Sequence, residues 1–406
     1  MNFKSAVLYL ESLKSYEDLR KFKYSEDFFD LKRLKNFLSC VDYEKLRYIH
    51  VAGSKGKGTT CRLVSDYLRA KNFKVGLFIS PHIFSVTERI SVNGVSISEN
   101  AFGRYVAEVK RLVEKNGSYI TYFEALFVIA LMWFLEKKVD YVVLEVGLGG
   151  RLDATNIIRP IVSALTFVEK EHTDILGNSL TKILKEKLGI RKKGVPLVVG
   201  IQKPFVYRII YEIVKGWSKV FFAGGVEFAS SGYSKSLTEN SLLAFCVLKI
   251  LLKKVDVDVF LKIVGGFKMA GRFDVREITG KTIVFDIAHT PASIKNLDEA
   301  LKRVFVGKKF IFLVSVMKDK NVKSMLKNIL KNADKIVFTS SHSQRGFSGK
   351  ELLKIAGGIF SYGDASYHED PIMAFKSSLK SLKDDQILVV TGSNFLVSTI
   401  LKFLVR

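Results

Sequence analysis

Between His50 and Thr60 the chain reads His50-Val51-Ala52-Gly53-Ser54-Lys55-Gly56-Lys57-Gly58-Thr59-Thr60. The apolar-flanked run from Leu46 to Ala52 predicts a short buried strand, and Cys61 to Leu68 resumes with helical spacing after the glycines. Strand, glycine-rich turn and helix in that order favour a phosphate loop. Glycine lets backbone N–H groups curl around an anion, and the helix N-terminus adds partial positive charge. Lys57 would reach the β- and γ-phosphates, and the hydroxyl of Thr59 or Thr60 would sit near the phosphates or Mg²⁺. Gly58 separates the lysine from the first threonine, so the spacing departs from the standard Walker pattern. The alternative is a glycine-rich βα turn beside a stray lysine.

At 406 residues the chain is too long for one ordinary core, so two domains are expected. Hydrophobic residues at 48% and charged residues at 26% fit a soluble globular protein, and no apolar run approaches the roughly 20 residues of a membrane span. Met1-Asn2-Phe3-Lys4 lacks the pattern of a secretory signal. Cys40, Cys61 and Cys246 are scattered without metal or disulfide spacing, which favours a reducing cytoplasm. The net charge of +24 has two readings, attraction of anionic partners or a lysine-rich composition bias. Lys and Arg are spread rather than clustered with aromatics, which favours the second. A basic P-loop nucleic-acid-binding ATPase is the alternative from another class, separable by DNA-stimulated ATPase activity and its salt dependence.

Residues 1 to 49 read as mostly helical, with stripes at Ala6, Tyr9, Leu10, Leu13 and at Leu31, Leu34, Phe37, Leu38. Between them the polar stretch Lys21 to Asp27, close in sequence to the glycine loop, is expected to lie over a substrate. Strands are predicted at 74–79, 140–146, 161–167, 196–200, 281–286, 310–316, 335–339 and 386–391. Thr121 is expected to cap an apolar helix through Leu135, and Asn240 to stand at the start of a helix over Leu242–Leu252. Glu145 is a carboxylate in a β-branched run that should be buried and apolar, and near phosphates such an acid holds Mg²⁺. Ser80, Glu145, His172, Asp286 and the glycine loop each lie at or just past the carboxyl end of a predicted parallel strand. In open α/β sheets that edge binds ligands.

The loop Gly53–Thr59 resembles the G-T-N-G-K-G-S/T loop of folylpolyglutamate synthases and dihydrofolate synthases, members of the Mur ligase superfamily. Glu145 to Asn156 is similar to the family's E-V-G-x-G-G-R-L-D-A-T-N nearly letter for letter. Further likenesses follow in order. Ser80-Pro81-His82 with Glu88-Arg89-Ile90 resembles S-P-H…E-R-I, and Thr121-Tyr122-Phe123-Glu124 resembles T-x-F-E. His172 resembles the histidine of D-H-x-x-x-L-G, with Glu171 where the family has Asp, and Ile183 to Ile190 resembles I-x-x-E-K-x-G-I. In the last third, Gly271-Arg272 resembles the P-G-R hinge with Ala270 in place of Pro. Asp286 to Pro291 resembles D-x-A-H-N-P with Thr290 in place of Asn, and Met317-Lys318-Asp319 and Gly392-Ser393 resemble D-K-D and G-S.

The resemblance implies an α/β fold in two parts. Residues 1–274 would form N-terminal helices and a P-loop Mur-ligase-type ATP-binding domain with a mostly parallel sheet. Residues 275–406 would form a smaller Rossmann-like glutamate-ligase domain. It implies ATP-binding roles for Gly53, Gly56, Lys57, Gly58, Thr59, Thr60, Asn240, Arg272 and Asp286. Ser80, Glu145 and His172 would hold two Mg²⁺ ions, with Lys57, His172 and a carbamylated Lys187 catalytic. Thr121, Phe123, Glu124, Leu152, Asp153 and Ala154 would border the pterin or folate, and His289 and Ser393 the glutamate. The implied activity is ATP-dependent joining of L-glutamate to dihydropteroate through an acyl phosphate, with extension of reduced folate polyglutamates as a second activity. The alternative is a folylpolyglutamate synthase without the first. Small-molecule substrates, no nucleic-acid or membrane partner, a cytoplasmic location and a monomer complete the expectation.

Overall fold

The computed structural model describes residues 1–14, 30–216, 219–224, 234–341, 345–359 and 364–405. The Lys21–Asp27 stretch lies outside them. The chain divides into two compact units, Met1–Ala229 with Leu237–Phe267, and Ser230–Ser236 with Lys268–Arg406. Each is built on its own sheet.

In the first unit the strands are β1 (Tyr48–Ala52), β2 (Val75–Phe78), β3 (Ile90–Val92), β4 (Val95–Ser96), β5 (Tyr141–Glu145), β6 (Val162–Leu165), β7 (Leu197–Val199) and β8 (Val220–Phe222). They lie in the order β4-β3-β2-β5-β1-β6-β7-β8. From β2 to β8 every pairing is parallel, while β3 and β4 add an antiparallel edge. β1 and β5 are buried at every position, as strands covered on both faces must be. That is why they read as continuous apolar runs rather than alternations.

One face of this sheet is covered by helices Phe3–Ser12, Leu31–Phe37, Glu99–Asn116 and Tyr122–Glu136. The last is apolar on all sides and accordingly interior. Its Phe134 packs so closely on β2 that a Cβ at Gly76 would meet the ring at 2.7 Å. Helices Leu180–Lys187 and Pro204–Val214 pack a second core with Val146, Leu165 and Val199.

Register decides what converges. Val51 lies beside Glu145 of β5 on one side and Ala164 of β6 on the other, so three strands finish level. The chain leaves β1 toward β2 on one flank and reaches β6 on the opposite flank. Between them is the crevice that such a reversal opens at the carboxyl ends of parallel strands.

The second unit carries β9 (Asp274–Ile278), β10 (Lys281–Phe285), β11 (Lys309–Val314), β12 (Lys335–Phe338), β13 (Ala365–Tyr367) and β14 (Gln386–Thr391). Their order is β13-β12-β11-β14-β10-β9, with β9 the one antiparallel strand among the described residues. The fold is thus mixed α/β with a large, mostly parallel sheet in each unit.

Periodicity did not single out β3, β4, β8, β9 and β13. All but one have five residues or fewer with partly or fully exposed patterns, or sit at an edge, and weak alternation over so few residues leaves little signal.

Candidate active site

The glycine-rich loop after β1 is held by contacts that admit only glycine at two positions. Gly53 has φ +147°, and a Cβ there would stand 1.8 Å from Thr166 Oγ1. Gly56 has φ +85°, and its Cβ would meet Asn240 Oδ1 at 2.0 Å. The loop is braced on the segment after β6. Ser54 and Lys55 donate their amides to Phe167 O at 2.9 and 3.2 Å, and Glu169 N donates to Ser54 Oγ at 3.1 Å. Lys55 Nζ stands 3.6 Å from the Glu169 carboxylate.

Helix Lys57–Ala70 begins directly after Gly56, with Gly58 and Thr59 in its first turn. Thr60 is fully buried with an unpartnered hydroxyl, whereas Thr59 is only half-buried. Of the two threonines, Thr59 is the more accessible. Asn240 is not a helix cap: the helix it belongs to runs Lys235–Leu252, starting well before the apolar run at Leu242. Its position inside the helix sets its amide against Gly56.

Two lysines share one oxygen here. Lys57 Nζ donates to Gly53 O at 3.2 Å, and Lys187 Nζ donates to the same carbonyl at 2.9 Å. Lys187 is 1% exposed and also donates to Glu171 Oε1 at 2.8 Å. Burial pushes the Lys187 ammonium below its ordinary range; Glu171 opposes this, and Lys57 and Lys55 add to it. Burial pushes Glu171 upward, but Lys187, Lys57 and Lys55 together hold its carboxyl down at about 2. Glu171 was noted in the sequence only as a replacement for Asp, yet its carboxylate balances the lysines. His172, next to it, is exposed in a left-handed conformation (φ 46°) before the short helix Thr173–Leu176.

Glu145 ends β5 with 4% exposure, and Ser80 N donates to its Oε2 at 2.9 Å. A serine just past β2 and an acid at the end of β5 are therefore neighbours. Their oxygen donors suit a hard divalent ion. Among the described residues no three His, Cys, Asp or Glu side chains gather as a metal cage. An ion here would complete its shell from nucleotide phosphates and water, the usual arrangement for Mg²⁺. Arg89, which sequence reasoning gave no role, borders this corner: it donates to His82 Nδ1 at 2.9 Å and lies 5.7 Å over the Tyr122 ring.

On the expected pterin side, several polar groups are already engaged. Thr121 and Glu124 form a reciprocal capping box, and Arg33 donates to Glu124 Oε1 at 2.5 Å. Phe123 is buried against Gly147, whose Cβ would touch its ring at 2.6 Å. Leu152 and Ala154 are buried. Asp153, 1% exposed, accepts from Leu148 N at 2.9 Å, Thr155 N at 3.0 Å and Thr155 Oγ1 at 2.5 Å. Thr155 Oγ1 in turn meets His50 Nε2 at 2.8 Å, and burial pushes that imidazole down to about 3, so it is neutral. Asp153 and Glu124 thus set the shape of this wall.

In the second unit, Asp286 follows β10 and accepts from Phe273 N and Ala288 N, both at 2.8 Å. His289 Nδ1 meets Ile287 O at 2.8 Å. Ser393, buried after β14, accepts from Phe395 N at 3.1 Å. Arg272 is exposed in the turn before β9. Thr290, where the resemblance expects Asn, caps helix Pro291–Val304 in a capping box with Ser293.

A nucleotide loop, an acid–serine corner and a second parallel sheet define an ATP-dependent ligase of the Mur type. Residues 51–270 match the Mur ligase middle domain and residues 271–394 the Mur ligase glutamate ligase domain, so the chain belongs to the Mur ligase family. Within it the chain is similar to the dihydrofolate synthase/folylpolyglutamate synthase of Bacillus subtilis, at 28% identity over 96% of this chain and 99% of that one. It is likewise 29% identical to the folylpolyglutamate synthase of Lacticaseibacillus casei, over 87% and 89%. Among solved structures, E. coli FolC in complex with DHPP and ADP superposes with a TM-score of 0.85 at 25% identity, covering 100% of this chain and 98% of the other. A bifunctional folylpolyglutamate synthase/dihydrofolate synthase with Mn, AMPPNP and L-glutamate bound superposes with a TM-score of 0.86 at 26% identity, covering 100% and 98%.

Proposed function

We propose that this chain is an ATP-dependent ligase joining L-glutamate to dihydropteroate and extending the glutamyl chain of reduced folates. The observation that carries the reading is the pair of lysines on Gly53 O, one in the phosphate loop and one buried against Glu171. Together with the Ser80–Glu145 corner, they gather a cation at Lys57, a modifiable amine at Lys187 and oxygen donors around one loop. Phosphoryl transfer needs mainly positioning and charge neutralisation.

A substrate carboxylate oxygen attacks the γ-phosphorus and the bond to the bridging oxygen breaks, releasing ADP and leaving an acyl phosphate. The amino nitrogen of L-glutamate attacks the acyl carbon and loses a proton, and the C–O bond breaks to release phosphate. Lys57 lies against the phosphoryl oxygens throughout. We assign Gly53, Gly56, Gly58, Thr59, Thr60 and Asn240 to the nucleotide, and Arg272 and Asp286 to its phosphate and ribose. Ser80, Glu145 and His172 would hold Mg²⁺, two ions in this reading, which supply neutralisation of the γ-phosphoryl charge when bound. Phe123, Leu152 and Ala154 wall the pterin, with Thr121, Glu124 and Asp153 shaping that wall. His289 and Ser393 serve the glutamate.

Lys187 is read as a carbamate in the working enzyme. The modification requires the neutral amine, and burial beside Lys57 and Lys55 favours it. A cytoplasmic monomer acting on small molecules fits, and no helix among the described residues is long and apolar enough to cross a membrane.

The deciding experiment is ADP release with dihydropteroate or tetrahydrofolate, each with and without L-glutamate. Glutamate-dependent release with both is expected. Release with tetrahydrofolate alone would favour the second reading, an enzyme named as the Lacticaseibacillus casei relative is, for folylpolyglutamate synthesis only. Release with neither would overturn both.

A further inference from the structure

A recess of about 400 Å³ opens at the other end of the first sheet, lined by Tyr48, the first residue of β1, and by Arg159 in the approach to β6. Three cations line it: Lys35 from helix Leu31–Phe37, Arg159, and Lys192 from the turn before β7. Tyr43 and Tyr48 form its aromatic side, tied together by Tyr48 Oη donating to Tyr43 O at 2.6 Å. Among the described residues the one acid in its lining is Glu44.

Two of the cationic heads are held by main-chain carbonyls. Arg159 donates to Lys193 O at 2.8 Å and Lys192 Nζ donates to Asn156 O at 3.0 Å. These carbonyls orient the two cations and bring no formal charge of their own. Like charges gathered in one concavity repel one another, and they focus a positive potential where an anion would enter.

We infer that this recess binds a compact multivalent oxyanion, gripped by Lys35, Arg159 and Lys192 and distinct from the phosphate loop at the far end of β1. The chemistry has two sources in the proposed reaction, on which only this naming of sources rests: released inorganic phosphate, or the carboxylates of an added γ-glutamyl tail. The recess also connects to the segment just before Leu152. Asn156, whose carbonyl Lys192 holds, donates its amide to Arg151 O and Gly189 O at 2.9 and 3.1 Å.

Lys192 supplies a signature. Burial, then Lys35 and Arg159, push its ammonium down to about 8, with neutral His50 behind it and Glu44 the acid that lines the recess among the described residues. An anion between these cations offsets that repulsion and raises the Lys192 pKa, so binding near pH 8 takes up protons.

Calorimetry at pH 8, in two buffers of different ionisation enthalpy, tests this on the full chain preloaded with AMPPNP and Mg²⁺. Inorganic phosphate and tri-γ-glutamate are titrated separately. We expect saturable binding with buffer-dependent heat, weakened about tenfold or more by Arg159→Gln and by Lys35→Gln, each the loss of one charged contact. Both are exposed positions, and thermal unfolding verifies that the variants remain folded. Arg208→Gln, a surface cation in another recess, should leave binding unchanged. Phosphate binding alone names the phosphoryl group, tri-γ-glutamate alone names the tail, and both together show that the recess reads charge. Binding of neither, binding unchanged in both variants, or binding without proton uptake would overturn the inference. The outcome is independent of the ADP-release assay.

Discussion

The two sheets place polar residues at equivalent positions, the carboxyl ends of central parallel strands, but use them differently. After β1, β5 and β6 the first unit brings charges into contact: Lys57 and Lys187 on one carbonyl, Lys187 on Glu171, and Ser80 on Glu145. After β10 and β14 the second unit spends its polar groups on its own turns. Asp286 accepts two amides, His289 meets Ile287 O and Ser393 accepts from Phe395 N. The difference teaches that topology supplies the edge, while buried charge compensation sets apart the edge to which phosphoryl chemistry is assigned. A buried cation is tolerated only beside partners that hold it.

The strongest test of that contrast is Lys57→Ala, expected to lower turnover by about 10²-fold or more with the fold intact. If Ser393→Ala in the second unit cost as much in kcat, the division of labour would collapse.

Glu171→Gln comes next. In the chain with Lys187 unmodified it leaves that ammonium buried without its counter-charge, a loss of about 3–5 kcal/mol by chemical unfolding. The pH dependence has a definite sign. The folded carboxyl is held below its ordinary value, so the ion pair stabilises at neutral pH and its contribution is lost as pH falls from the usual carboxylate range toward about 2. The stability gap between wild type and Glu171→Gln should therefore narrow on acidification; a gap independent of pH would mean that Glu171 acts through shape alone.

Glu145→Gln keeps volume and removes formal charge at the Ser80 corner. The Mg²⁺ concentration for half-maximal activity should rise sharply while thermal stability changes little. An unchanged titration would reduce Glu145 to a hydrogen-bonded interior acid like those of the second unit.

The smallest effect is expected from Ser393→Ala, which removes one buried acceptor for Phe395 N and should cost about 1 kcal/mol of stability. Its activity should fall only a few-fold.

By itself the sequence determined the frame and the candidates placed on it. The runs at 46–52, 140–146 and 386–391 read as strands and are strands, and Gly53, Gly56 and Lys57 in that order read as a phosphate loop on a strand–turn–helix that the structure shows. Such signals are local: a strand's burial and a glycine's freedom are written within a few residues. The tertiary structure decided what needs neighbours distant in sequence. Glu171 matters because helix Leu180–Lys187 carries Lys187 to it, and Asn240 because a helix begun at Lys235 sets its amide against Gly56. Asp153 and Glu124, plain carboxylates in the sequence, proved to be held by Thr155 and Leu148 and by Thr121 and Arg33. Whether a carboxylate is spent or available depends on which donors the fold brings within about 3 Å, and no spacing rule along the chain encodes that distance.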